Sequence, residues 1–130
     1  MQWDNSINGG FTTGTPWINL CKNYKKINAE SQINDEESIF SFYKKLIKLR
    51  KESEVVQFGT YELLEEENSE LYTYKRKYKN EEILVICNFY ENEVINKLDL
   101  TGYDLILGNY KENSKNIRPY ETRVYKKASV

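Results

Sequence analysis

One stretch constrains the fold more than any other. Leu71-Tyr72-Thr73-Tyr74-Lys75-Arg76-Lys77-Tyr78 alternates, turns at Lys79-Asn80, and leads into Ile83 to Phe89, which is apolar at nearly every position. In a strand successive side chains point to opposite faces, so Tyr72, Tyr74 and Tyr78 share one face with Arg76, and Thr73, Lys75 and Lys77 lie on the other. That is the pattern of an antiparallel strand with one solvated side. The run from Ile83, apolar on both faces, predicts a central strand. Further short strands are expected at Tyr61–Leu64 after Gly59, and at 94–98, 103–107 and 120–125. Polar turns separate them at 65–69, 90–92, 99–102 and 109–116. Pro119 is tolerated where a strand begins. Short strands at this spacing predict an antiparallel β-sandwich from Val55 onward.

A different period precedes it. Residues 34–53 read as one long helix, with Asn34 as N-cap, Glu37 as its capping-box partner, acidic residues in the first turn and Lys48, Arg50 and Lys51 in the last. Ile39, Phe40, Phe42, Tyr43, Leu46, Ile47 and Leu49 occupy about half the circumference at ~100° per residue. Such an arc is wider than one neighbouring helix requires. Arg50 falls in the middle of it and is expected to pair with a carboxylate or backbone carbonyls. Residues 1–33 have neither period and read as loop, yet carry Trp3, Phe11, Trp17 and Ile18 among the turn signals Asn8-Gly9-Gly10 and Gly14-Thr15-Pro16. A loop this long is uncommon inside a compact domain, and its aromatics suit a segment lying against a larger body.

Composition narrows the chemistry. With no histidine in 130 residues, Ser-His-Asp and Cys-His nucleophile pairs, HExxH zinc sites and histidine bases are excluded within the chain. Nineteen basic against twenty acidic groups give no electrostatic footprint for nucleic acid or an anionic membrane. No apolar run reaches the ~18 residues of a membrane span, and no leader pattern opens the sequence. Cys21 and Cys87 form no metal-like or CxxC spacing, which favours a reduced compartment. Cys87, within Ile83–Cys87, reads as a small buried core residue.

The segment Met1-Gln2-Trp3-Asp4, followed by Gly10-Phe11-Thr12-Thr13-Gly14-Thr15-Pro16-Trp17-Ile18, resembles the stretch between the last barrel strand and last barrel helix in the α-glucosidase branch of glycoside hydrolase family 13. Asn23-Tyr24, Ile27-Asn28, Ser38-Ile39-Phe40, Tyr43 to Ile47, Leu49-Arg50-Lys51, Gly59 to Leu64 and Arg118-Pro119-Tyr120-Glu121 resemble the same enzymes in the same order. Within the branch, Leu20-Cys21-Lys22-Asn23-Tyr24 with Ile27-Asn28-Ala29-Glu30 looks closer to trehalose-6-phosphate hydrolases than to oligo-1,6-glucosidases.

The resemblance implies a fold that is mainly β with one long helix. Residues 1–54 would be a remnant of a (β/α)8 barrel, its loop plus last helix, and 55–130 the C-terminal β-sandwich domain. It implies a cytoplasmic parent acting on a carbohydrate substrate; no cofactor, no metal-binding residue in this chain, and no nucleic-acid or membrane partner is expected, while a metal in the parent is left open. The family's nucleophile, acid/base and transition-state-stabilising carboxylates match nothing in this chain, so no catalytic residue is expected here. Asp35 to Glu37 read as helix-capping, and Glu65 to Glu67 with Glu70 as a solvated turn. Gln2 and Trp3 are the candidate substrate-binding residues, at the pocket rim of the parent; the alternative is that Trp3 and Trp17 only pack the loop onto the barrel. Tyr72, Tyr74 and Tyr78 suit sheet-face packing better than sugar stacking. Self-association through helix 34–53 is expected if its arc stays uncovered. A stand-alone glycan-binding or protein-interaction sandwich remains as the alternative reading.

Overall fold

The computed structural model describes residues 1–111 and 114–127, in two compact units, Met1–Leu49 and Arg50–Val130. Residues 112 and 113 of the expected turn lie outside the described residues.

The first unit is held by backbone and polar side chains. Asn8 and Gly9 have positive φ within a 3-10 turn, Ile7–Gly10, which returns the chain so that Trp3 N–H donates to Gly9 O at 2.8 Å. The region is not wholly loop. A short helix, α1 (Ala29–Ile33), starts at a capping box: Ser31 N–H donates to Asn28 Oδ1 at 2.8 Å and Asn28 N–H to Ser31 Oγ at 3.4 Å. The opening segment joins it, with Ala29 N–H on Gln2 O (2.9 Å) and Glu30 N–H on Trp3 O (2.8 Å).

The long helix, α2, covers Ile39–Glu52 rather than 34–53. Asn34 is not its N-cap but the C-cap of α1, at φ −96° and ψ 0°. The residues between follow a competing local bond, in which Asp35 Oδ1 accepts from Glu37 N–H at 2.9 Å. Ser38 does the capping, its Oγ accepting from Ser41 N–H at 3.1 Å, while Gln32 Oε1 takes Phe40 N–H at 3.2 Å. No residue of α2 is buried. Arg50 therefore departs from expectation: it is exposed, and its side chain makes no hydrogen bond or ion pair among the described residues. With the arc around it open to water, no desolvation cost forces the guanidinium to find a partner.

The second unit opens with helix as well. Val55 does not begin the β-rich region; it belongs to α3 (Glu54–Phe58), capped by Ser53 Oγ accepting from Val56 N–H at 3.4 Å. Gly59 ends it, and a Cβ there would lie 2.3 Å from Val55 O, so only glycine fits.

Among the described residues seven strands follow. β1 (Thr60–Leu64), β2 (Leu71–Tyr78), β3 (Glu81–Asn88), β5 (Tyr103–Gly108) and β7 (Thr122–Lys127) form an antiparallel sheet ordered β1-β2-β3-β7-β5; β4 (Val94–Ile95) and β6 (Asn116–Ile117) form a second, two-stranded sheet. β3 is central and buried from Glu82 to Asn88, as its apolar run predicts. The architecture is thus mainly β with one long helix, a sandwich of unequal layers. Leu71, Leu84 and Ile86 meet Val94, Ile117 and Tyr125 in the core between them.

Local expectations are sharpened or changed. The sequence left open which face of β2 is solvated; the Lys-bearing face turns inward, with Leu71 and Thr73 buried because their cross-strand partners Asn88 and Ile86 face the sandwich interior. The tyrosine face is the outer one. The last strand starts at Thr122 rather than Tyr120, whose φ of 54° belongs to a turn closed by Glu121 N–H on Arg118 O. β4 ends at Ile95, where Asn96 Oδ1 takes Leu98 N–H at 3.1 Å and breaks the ladder, and β6 forms inside the expected 109–116 turn region and just beyond it.

Candidate functional site

Gln2 and Trp3 sit where a loop is pinned to itself. Gln2 Nε2 donates to Ile27 O at 2.7 Å and Asn23 Oδ1 at 3.3 Å, so the amide is spent on holding the loop. The Trp3 side chain is 51% exposed and that of Trp17 92%. Beside them lies a cleft of about 460 Å³ whose lining includes Met1, Gln2, Phe11, Trp17, Leu20 and Cys21. No Asp, Glu, Lys or Arg lines it, so it offers apolar contact and no carboxylate or basic side chain.

Asp4, next in the chain, is structural. It accepts from Ser6 N–H at 2.8 Å and Ser6 Oγ at 2.5 Å, and these bonds hold its carboxyl below the usual range. Gly10 (φ 67°) passes so close that a Cβ would stand 2.5 Å from Asp4 Oδ2.

In the second unit the carboxylates drawn inward are matched by cations. Glu121 and Arg123, two apart in sequence and each about nine-tenths or more buried, form a bidentate pair: Nε to Oε1 at 2.7 Å and Nη2 to Oε2 at 2.9 Å. Arg123 also donates to Ser114 O and Asn116 O at 2.6 Å, while Glu121 Oε2 takes Arg118 N–H at 2.7 Å. Asn88 donates to Asn92 O at 2.7 Å and Arg118 O at 2.9 Å. These groups lock β6 and the final turn to the large sheet. The signal for the pair was present in the sequence, since residues 121, 123 and 125 alternate onto one face, but the later strand start obscured it.

Glu82 lies near Lys77 (3.4 Å) and Lys75 (3.9 Å) and accepts from the Tyr103 hydroxyl. Burial pushes both Glu82 and Glu121 upward. For Glu82 the bonds from Tyr103 and Lys77 outweigh that, and for Glu121 those from Arg123 and Arg118 N–H, so each is held below the ordinary carboxylate value. A general acid needs the opposite shift, so neither is poised to protonate a leaving group. Cys87 is buried, its thiol pushed up by burial, and Cys21 is exposed; both are free thiols. Among the described residues no group of three or more His, Cys, Asp or Glu side chains is placed to hold a metal ion, and no helix is long and apolar enough to cross a membrane.

The outer face of the large sheet carries tyrosines in contact. Tyr61 and Tyr74 rings lie 5.5 Å apart, Tyr72 and Tyr74 5.6 Å, and Tyr72 and Phe89 6.1 Å. The Tyr61 and Tyr72 hydroxyls meet at 2.8 Å, a bond that pushes the Tyr61 phenol up to about 12.

Against known proteins, residues 1–59 match the family described as alpha amylase, catalytic domain. The oligo-1,6-glucosidase of Halalkalibacterium halodurans is 44% identical over 96% of this chain and 24% of its own length. The trehalose-6-phosphate hydrolase of Bacillus subtilis is 42% identical over 97% and 24%. The crystal structure of Bacillus licheniformis trehalose-6-phosphate hydrolase superposes with a TM-score of 0.86 at 42% identity, over 98% of this chain and 25% of that one. The chain spans about a quarter of the length of the curated relatives it matches, and identity does not separate the two enzyme types. Nearly the whole chain is thus similar to about a quarter of the length of α-glucosidase-type enzymes of the α-amylase family, glycoside hydrolase family 13.

Proposed function

We propose that this chain is the C-terminal portion of a cytosolic, retaining α-glucoside hydrolase, supplying structural support and no catalytic group. Residues 1–54 are the loop and last helix of its barrel, and 55–130 its C-terminal β-domain. The parent cleaves trehalose 6-phosphate to glucose and glucose 6-phosphate, or an α-1,6-linked oligosaccharide. Retaining hydrolysis uses two carboxyls ~5–5.5 Å apart, one attacking the anomeric carbon and the other protonating the leaving oxygen. In this reading both lie in the part of the parent outside the chain. Gln2 and Trp3 then stand at the rim of the pocket, Gln2 by shaping the loop and Trp3 by its exposed ring. The uncovered arc of α2 also supports self-association of the isolated chain, helix against helix.

The observation that carries the reading is the similarity of 96% of this chain to about a quarter of an oligo-1,6-glucosidase. Purified chain is expected to hydrolyse neither trehalose 6-phosphate, isomaltose nor a nitrophenyl α-glucoside above a buffer blank, and its tryptophan fluorescence to stay unchanged through a titration with maltotriose. Turnover free of contaminating glucosidase would overturn the assignment. A saturable fluorescence response would favour a stand-alone glycan-binding module instead.

A further inference from the structure

One buried polar atom of the second unit lacks a partner. Tyr125 is 2% exposed and belongs to the core cluster of Leu84, Ile86 and Ile117, yet its hydroxyl makes no hydrogen bond among the described residues. Buried hydroxyls are nearly always bonded, and one left open is destabilising. Tyr125 and Arg123 both stand on the inner face of β7, a strand flanked on its two edges by β3 and β5, so each reaches the space above the sheet through its side chain. The Tyr125 hydroxyl lies close enough to the Arg123 guanidinium to act on its charge, but no N–H meets it in hydrogen-bond geometry.

The space above these two side chains is a cleft of about 410 Å³, within the ~300–1,000 Å³ of small-molecule sites. Arg123 lines it but is already committed to Glu121, Ser114 O and Asn116 O, which fix the guanidinium in place. Leu98 and Leu100 supply an apolar wall. Asn96, just after β4, and Lys115, just before β6, complete the lining used here. The Asn96 carbonyl oxygen takes Leu98 N–H at 3.1 Å, which leaves the amide NH2 as its unspent half. Lys115 is exposed, and its ammonium makes no ion pair among the described residues. No Asp or Glu lines the cleft. An ammonium, an amide NH2 and a hydroxyl, all unspent, therefore share one cleft that has no carboxylate side chain to accept from a ligand. Such a set suits a group that only accepts. A phosphate monoester brings negative charge and three strong acceptor oxygens, whereas a sugar hydroxyl needs a partner for its own proton as well.

We propose that this cleft binds the phosphate group of a small molecule. Lys115 supplies the charge, Asn96 and Tyr125 donate to the phosphate oxygens, and Leu98 and Leu100 take the carbon part of an ester. Every one of these residues belongs to the second unit, so the inference stands apart from the hydrolysis assigned to the parent.

Calorimetry and amide NMR of the whole chain, titrated separately with glucose 6-phosphate, inorganic phosphate and glucose, test it. Both phosphates are expected to saturate and to shift the Lys115 backbone and Asn96 side-chain amide signals, and glucose to shift neither. Tighter binding of glucose 6-phosphate assigns the cleft to an ester, and equal binding assigns it to free phosphate. Lys115→Gln is expected to weaken binding about tenfold, the order of one lost charge-assisted hydrogen bond. Lys22→Gln makes the same charge change in the first unit and is expected to leave binding unchanged. Tyr125→Phe separates a ligand contact from a structural role. Removing an orphaned hydroxyl is expected to leave the melting temperature of the free chain level or higher, and to weaken phosphate binding about tenfold. Absence of saturable binding by either phosphate overturns the inference. So does glucose binding as tightly as glucose 6-phosphate, or Lys22→Gln weakening binding as much as Lys115→Gln. A Tyr125→Phe chain that melts lower and binds phosphate unchanged overturns it too. Should Tyr125→Phe fail to fold, the comparison of Lys115→Gln with Lys22→Gln decides alone.

Discussion

Every buried hydrophobic residue of the chain lies at or beyond Val55, whereas the buried positions of the first unit are Gly9, Asn28 and Ser38. The two regions have comparable apolar content to offer, but they spend it differently. In residues 50–130 the apolar side chains face one another across two sheets. In residues 1–49, Trp3, Ile7, Phe11, Trp17, Ile39 and Tyr43 are exposed, and order comes from capping boxes, Asx-type turns and an amide bonded to a backbone carbonyl. Hydrogen bonds contribute a net ~0.5–1.5 kcal/mol each, so they fix local shape more readily than they supply cooperative stability. The first unit therefore has the conformation of a folded segment without the core that would make it autonomous. Its aromatic-rich loop and half-apolar helix leave that apolar surface uncovered.

Amide hydrogen exchange gives the largest contrast. The amides of β3 are expected to exchange only through global unfolding, and those of residues 1–49 through local opening at little cost. Rates should differ by several orders of magnitude between Ile86 and the bonded amides of Trp3 or Phe42. Equal protection in the two regions would break the comparison at once.

The buried ion pair comes next. Removing one partner of Glu121–Arg123 leaves a charge without its counter-ion in a site that is nearly closed, which costs about 3–5 kcal/mol. Arg123→Met should do this in urea unfolding. Adding Glu121→Leu should recover part of the loss, though not all, because Ser114 O, Asn116 O and Arg118 N–H lose partners too. The carboxyl of Glu121 is held below its unfolded value, so its contribution is complete above the unfolded carboxylate pKa of about 4.3 and fades as pH falls through the folded value. Glu82 acts with the same sign. Stability measured from pH 7 downward should stay level to about pH 5 and then drop, and Glu121→Gln should show a shallower drop from a lower plateau.

What the sequence disclosed follows the same division. Period-two alternation located β2 and β3 to within two residues, and the apolar run identified the central strand, because burial on both faces leaves no other pattern. Which of the two faces turns inward was not legible. Lysines at 75 and 77 suit solvent, yet Leu71 and Thr73 on that face are buried, and the lysines reach the rim to meet Glu82. Helix boundaries were also misplaced, since Asn34 and Ser38 are both good caps and only the bond at Asp35 selects between them. Gln2 was legible as a candidate from resemblance, but its use as a loop tie needed coordinates, because its partners are 21 and 25 residues away. Glu121 and Arg123 share a face by their i, i+2 spacing, but that this face closes over them, with Glu121 in the turn before β7, shows only in the fold.

A pair of truncations sharpens the contrast between cores. Ile86 is fully buried among the sandwich residues, so Ile86→Ala should cost about 2–5 kcal/mol through lost transfer energy and the cavity left behind. Ile47, 53% exposed on α2, has neither term to lose. Ile47→Ala should change urea stability by less than about 0.5 kcal/mol. A loss above 2 kcal/mol at Ile47 would mean that the arc of α2 is already covered in solution, by a second copy or otherwise, and a sedimentation series on the same variant would tell the two apart.

The smallest effect tests which residue starts α2. Ser38 Oγ accepts from Ser41 N–H at 3.1 Å and donates toward Asp35 O and Gln32 O at 2.7 Å, so it satisfies one of the orphan donors of the first turn while tying the helix to the preceding segment. Replacing such a cap by alanine costs typically ~1 kcal/mol. Asn34 makes no side-chain bond to α2, and its place at the end of α1 tolerates many residues. Ser38→Ala should therefore lower the helical signal of the first unit and raise exchange at the amides of Phe40, Ser41 and Phe42, with Asn34→Ala close to the unsubstituted chain. The reverse order would restore a helix beginning at Asn34 and remove the bend at Asp35. It would also extend α2 by more than a turn, a change that circular dichroism of the two variants would register directly.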